Sequence, residues 1–233
     1  ALAAAKKAGG GVSRSGRVTS GNRSRFGRGQ RASVQANRLI TTRTRGAVVK
    51  ARVVRNMAWS APLGTHLDYL RRDGVTRDGE KARLFGPGTE DADGRAFAER
   101  CGDDRHHFRF IVSPDDATEL ESLRSFTREL MDQASRDLGT RLDWVAVDHW
   151  NTEHPHIHIL VRGRADDGSD LVISRDYIGT GLRARAGDLV TRELGPRSEL
   201  EIRRGLEAEV TSEPAAKPTT RASVKTSHAA RAV

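Results

Sequence analysis

HWNTEHPHIH, residues 149–158, decides the reading of this chain. It lies between two runs of strand character, 141–149 (RLDWVAVDH) and 156–163 (HIHILVRG). Both runs are rich in Val, Ile and Leu, and the short polar segment between them contains Pro155. Two such runs with a short polar join predict an antiparallel hairpin. Side chains on a strand alternate between its faces. His156 and His158 therefore share one face, while Ile157, Ile159 and Val161 take the other. Pairing across the hairpin brings His149 back beside His156. Three imidazoles that converge in this way suit a divalent cation with open coordination positions. Asn151 and His154, in the connection, are candidates for orienting the ligands from behind.

Working outward, 47–56 (AVVKARVVRN) alternates apolar and basic residues and reads as a strand. The run 65–73 (THLDYLRRD) reads as a helix, with Thr65 at its N-cap and Gly74 as its stop. A hairpin is expected around Asp78-Gly79, a short helix over 93–101, and a strand over 105–112 ended by Ser113-Pro114. A long helix is expected over 116–138, a short strand over 171–174, and helices over 176–194 and 198–210. Strands joined by hairpins favour an α+β fold, with an antiparallel sheet and helices on one side.

The 233 residues carry 40 Lys and Arg against 31 Asp and Glu, for a net charge of +9. Residues 1–46 hold Lys6, Lys7 and nine arginines without an acid, so the excess lies in the arm and 47–210 is net acidic. The arm is rich in Gly, Ser, Ala and Arg and reads as disordered and attractive to phosphate polyanions. Residues 211–233 read as a low-complexity tail. The domain is expected over 47–210. No apolar run is long enough to span a membrane. A single cysteine, Cys101, excludes an internal disulfide framework and suits a reducing compartment.

Taken together, the HPHIH strand, His149-x-Asn151 before it and the upstream THLDYLRRDG resemble the nuclease domain of conjugative relaxases. These are the mobilisation nucleases of the HUH endonuclease superfamily, in the group that includes the T-DNA border endonuclease. The resemblance implies an antiparallel sheet of about five strands flanked by helices. It implies a cytoplasmic bacterial enzyme that nicks and reseals one DNA strand at an origin of transfer on a plasmid or mobile element. The 5′ phosphate would stay on a tyrosine during the reaction. Tyr69 resembles the nucleophile, and His156 and His158 resemble paired ligands of a divalent ion, Mg²⁺ or Mn²⁺. His149 resembles the third histidine, as ligand or as base. Many members carry aspartate where this chain has Asn151; an amide can orient a histidine but adds no charge. Arg71 and Arg72 suit a phosphate backbone, and Trp150 suits a stacked base. Single-stranded DNA is the implied partner, with type IV secretion, coupling and accessory mobilisation proteins beyond it. Two further readings differ in their chemistry. A replication initiator or transposase-like nuclease would use Tyr177, downstream of the histidines. A single-stranded-DNA-binding module with a weakened ion site would use neither tyrosine.

Overall fold

The computed structural model describes residues 11–12, 18–19, 27–37, 43–56 and 62–204. Two units are distinguished, 1–197 and 198–233. In the second, residues 199–204 are helical, within the stretch expected to form a terminal helix. In the first, a ribbon pairs Gly11–Val12 with Val18–Thr19. Helix α1 (Gln30–Asn37) follows, then strand β1 (Ala47–Arg55), helix α2 (Leu63–Asp73) and helix α3 (Gly94–Arg100). Strand β2 (His106–Pro114), helix α4 (Leu123–Leu138), strand β3 (Trp144–His149) and strand β4 (His156–Arg162) come next. A π-turn over Tyr177–Gly181 leads into helix α5 (Leu182–Leu194).

The strands form one antiparallel sheet in the order β1-β2-β4-β3. Among the described residues this sheet has four strands, where about five were expected. Beyond β3 there is a single bridging pair, in which Phe85 and Ala146 exchange two N–H···O bonds of 2.9 Å. Pairing stops there because Gly86 N–H turns to the Thr89 carbonyl and Pro87 has no N–H to give.

Strand alternation builds two cores. Phe108, Phe110 and Val112 of β2, Trp144 and Ala146 of β3, and Ile157, Ile159 and Val161 of β4 meet α4 and α5 on one face. Val145, Val147 and Leu160 point the other way and meet Leu67 and Leu70 of α2 and Phe97 of α3. Helices thus cover both faces rather than the one expected, because β3 is apolar at every residue before Asp148 and is buried along its whole length.

Helix α4 begins at Leu123, not near 116. Ser122 caps it by accepting the Ser125 N–H at 3.2 Å. The carbonyls of Thr118, Leu120 and Glu121 accept instead from the Arg77 guanidinium, which holds that stretch as turns. Gly139 ends the helix at φ 63°, a left-handed stop that suits glycine. Helix α2 starts at Leu63 after Pro62, so Thr65 lies inside it and is not its cap. Strand β2 continues through Ser113 and Pro114 rather than stopping before them. The strand expected over 171–174 is reduced to an isolated parallel bridge between Ile173 and Arg28.

That bridge places part of the basic arm against the domain. Residues 27–37 and 43–46 are ordered, contrary to an arm without structure throughout 1–46. Small residues allow it: Ala32, Ser33 and Ala36 are buried on one side of α1, and Gly181 leaves room for Ser33. Apart from the paired residues 11–12 and 18–19, the rest of the arm and the tail at 211–233 lie outside the described residues.

One buried ionic network joins α4 to α5. Asp137 receives Arg185 through two bonds of 2.9 Å and the Tyr177 hydroxyl at 2.9 Å. Its side chain is 6% exposed, so an uncharged replacement leaves Arg185 without its counter-charge in a dry setting. Asp137→Asn is expected to lower unfolding stability by about 2 kcal/mol, read as the urea midpoint shift at unchanged slope.

Candidate metal and nuclease site

The hairpin register sets His149 directly opposite His156 and Val147 opposite His158. The three imidazoles share a face, with ring centroids 4.7 to 5.4 Å apart. One nitrogen from each lies within 4.8 Å of the others. His156 Nε2 and His158 Nε2 are 3.2 Å apart.

The outer hydrogen bonds fix how these rings present themselves. His156 Nδ1–H donates to the His154 carbonyl at 3.0 Å, which leaves the Nε2 lone pair facing His158. His149 Nε2–H donates to the Leu70 carbonyl at 3.0 Å, which leaves Nδ1 as its lone-pair nitrogen. A ring that gives its second N–H to a backbone carbonyl is the usual arrangement of a metal-ligating histidine. Burial, followed by the neighbouring histidines, pushes the His158 pKa down to about 3. Burial likewise lowers that of His149. Both are neutral near pH 7, as ligation requires. The donor set therefore fits a divalent transition ion.

Helix α2 closes over the site from the opposite end of the chain. A Cβ on Gly74 would stand 2.7 Å from His149 Cδ2 and Nε2, so only glycine allows this close approach. Asn151 donates to the Asp73 carbonyl at 3.1 Å. Its amide ties the hairpin turn to the helix end, where orientation of a histidine had been expected. His154 acts through its backbone carbonyl, which accepts from both Thr152 and His156, while the residue itself is exposed.

Tyr69 is 52% exposed on α2, beside this junction. The Asp73 carboxylate beside it, first as a hydrogen-bonding group and then as a charge, raises the phenol pKa. The Tyr69 hydroxyl, followed by Arg72, lowers the Asp73 pKa. Asp73 was not singled out in the sequence; its place within THLDYLRRDG was the available signal. Arg72 lies over the Tyr69 ring at 5.6 Å, and Arg71 pairs with Asp68, both in the open. Trp150 is half-buried against the main core. Its Nε1–H goes to Asp148 and Arg77 covers a face, so it packs rather than offering a bare platform for a base.

Tyr177 is 2% exposed, and burial raises its pKa further above the ordinary phenol value. Its hydroxyl is held by Asp137 within the main core. Cys101 is buried in the smaller core, its thiol pushed up to about 12, mainly by burial.

Beyond His158 the open sheet face forms a cleft of about 220 Å³ lined by Lys50, Arg52, His66 and Arg109 among others. His107 lies on the same face of β2, buried, with its pKa pushed down to about 4 by burial and then by Arg109. In the unfolded chain this ring takes up a proton near pH 6.5, so its contribution to stability is complete above that pH. It is lost as pH falls from 6.5 toward 4. His107→Gln is expected to remove about 2 kcal/mol of acid-dependent destabilisation over that window. Urea unfolding of both proteins at pH 7 and pH 4.5 checks this.

The antiparallel sheet, the three-histidine face and the helix bearing Tyr69 make an α+β architecture with a cluster that could hold a metal ion. Residues 91–180 match the family model described as Relaxase: MobA/VirD2-like, nuclease domain. The match supports a relaxase, or mobilisation nuclease, domain over that span. The matched span includes all three histidines; Tyr69 lies upstream of it. No curated protein matches the chain. No helix among the described residues is long and apolar enough to cross a membrane.

Proposed function

We propose that this domain nicks and reseals single-stranded DNA at an origin of transfer, with Tyr69 as nucleophile. The observation that carries the reading is the meeting of α2 with the histidine hairpin. Leu70 and Asp73 bond to His149 and Asn151, one helical step from Tyr69.

A divalent ion held by His149, His156 and His158 would neutralise the non-bridging oxygens of the scissile phosphate and make its phosphorus more electrophilic. All-imidazole ligation favours a transition ion, making Mn²⁺ a better match than Mg²⁺. Asp73, beside the Tyr69 hydroxyl, accepts its proton as the phenol oxygen attacks phosphorus. The P–O3′ bond breaks and leaves a 3′-hydroxyl, with the 5′ phosphate on Tyr69. The leaving oxygen takes up a proton, for which Asp73 is the nearest store. Resealing is the same displacement in reverse. It needs no nucleotide cofactor, because the phosphotyrosine ester conserves the energy of the bond. Leu70, by fixing His149, ties the helix that bears Tyr69 to the histidines that would hold the ion.

Such an enzyme belongs in the bacterial cytoplasm, where it would deliver DNA to coupling and type IV secretion proteins with accessory mobilisation factors. The initiator-like alternative needs Tyr177 as nucleophile, and its buried, Asp137-bound hydroxyl does not favour it. The test is to incubate the chain with Mn²⁺ and origin-region single strands, digest it with protease and nuclease, and map the adduct by mass spectrometry. A nucleotide mass on the peptide containing Tyr69 is the expected result. Cleavage without any adduct would overturn the reading.

A further inference from the structure

The cleft beside His158 contains an arginine whose support is unusually complete. Arg109 Nε donates to His107 Nε2 at 3.0 Å, and His107 Nδ1 lies 2.7 Å from Asn56 Oδ1. The direction of each bond follows from Asn56. Its amide gives its hydrogens to the Cys101 and Asp104 carbonyls, so only Oδ1 is left to face His107. His107 must then carry its proton on Nδ1 and accept at Nε2. A guanidinium has no accepting atom, so it fits that place and no other. The ring is buried and cannot turn to follow solvent.

This support holds a charge that the fold does not compensate. Arg109 is half-buried, and among the described residues it has no carboxylate partner. Its directly opposed residue on β1 is Arg52. Like charges facing across strands destabilise a sheet. Burial, followed by Arg52, lowers even the arginine pKa. Lys50 adds a third cation, and no acid lines the cleft. Across the sheet Arg109 pairs with Leu160, which makes it the diagonal neighbour of His158 on the shared face. Such diagonal positions stand about 7–8 Å apart.

We infer that Arg109, aimed by the Asn56–His107 pair, grips the nucleic-acid phosphate adjoining the one processed at the histidines. This assignment rests on the nuclease reading above. Arg109 is the gripping residue and His107 the positioning residue. The bound phosphate supplies the counter-charge that the Arg52–Arg109 pair lacks.

The test uses the full chain without divalent ion and a fluorescein-labelled oligothymidylate, with anisotropy titrations across a range of salt. Arg109→Gln should bind about tenfold more weakly at 0.1 M salt, with the slope of log K against log salt reduced by about 0.7, the value for one phosphate contact on a single strand. Arg109→Lys should keep the wild-type slope. His107→Leu should weaken binding several-fold while also keeping that slope, because the charge remains and only its aim is lost. Thermal unfolding separates this role from a structural one. Arg109→Gln relieves Arg52 but takes the donor from buried His107 Nε2, so the two effects oppose and its midpoint should move little. Wild-type slope and affinity in Arg109→Gln overturn the inference and leave the nuclease reading standing. A wild-type chain that binds no oligothymidylate at all overturns both.

Discussion

Tyr69→Phe is expected to lose the covalent protein–DNA band completely and to lower nicking by about a thousandfold or more, the scale of deleting a nucleophile. The substitution removes one oxygen from an exposed side chain, so unfolding stability should be nearly unchanged. Tyr177→Phe is the informative partner. It removes a hydroxyl bonded to Asp137 in the core, so it should cost stability by about 1 kcal/mol and keep the adduct. A denaturing gel of labelled origin-region single strands with Mn²⁺ separates the two. An adduct that persists in Tyr69→Phe and vanishes in Tyr177→Phe would reassign the nucleophile and favour the initiator-like class.

The second large effect is expected at His158. Its ring is half-buried, its pKa is low, and its Nε2 faces that of His156 at 3.2 Å. His158→Ala leaves two imidazoles, which cannot enclose an ion from three sides. Several kcal/mol of charge stabilisation at phosphorus would go with the ion, so nicking should fall by about a thousandfold. Mn²⁺ binding, followed by calorimetry on the DNA-free protein, should fall in parallel. The fold should survive, because His158 lies at the margin of the smaller core and leaves an opening that water can enter. Unchanged Mn²⁺ affinity in His158→Ala would remove the ion from the hairpin.

The hairpin was the legible part of this chain, because strand periodicity alone determines which residues share a face. His149, His156 and His158 are separated by a short turn, so local geometry brings them together. What was hidden is what depends on distant partners. Nothing local to Asp73 or Leu70 says that they meet Asn151 and His149. Nothing local to Trp150 says that Arg77 covers a face of its ring. The start of α4 was misplaced because three carbonyls ahead of it accept from an arginine some forty residues upstream. The expected one-sided helix layer failed because the alternation rule was applied to β4, where it holds, and not weighed on β3, which is apolar on both sides. Arg109 was unremarkable in the sequence, and its meaning comes from Arg52 on a neighbouring strand and Asn56 beyond that strand's end.

The bond between His149 and the Leu70 carbonyl spans 79 positions in the chain, whereas the histidines close on one another within a single hairpin. The entropy of loop closure grows with the logarithm of loop length, and long-range contacts form late. The histidine cluster is therefore a local product of the chain and the docking of α2 on it a global one. During synthesis the helix bearing Tyr69 leaves the ribosome first and can pack on α3, but its bond to His149 waits for the hairpin. A truncated product ending before residue 149 would carry the reactive hydroxyl without a place to use it, and an isolated hairpin would hold an ion without a nucleophile. On the proposed mechanism, cutting ability would belong only to the finished domain.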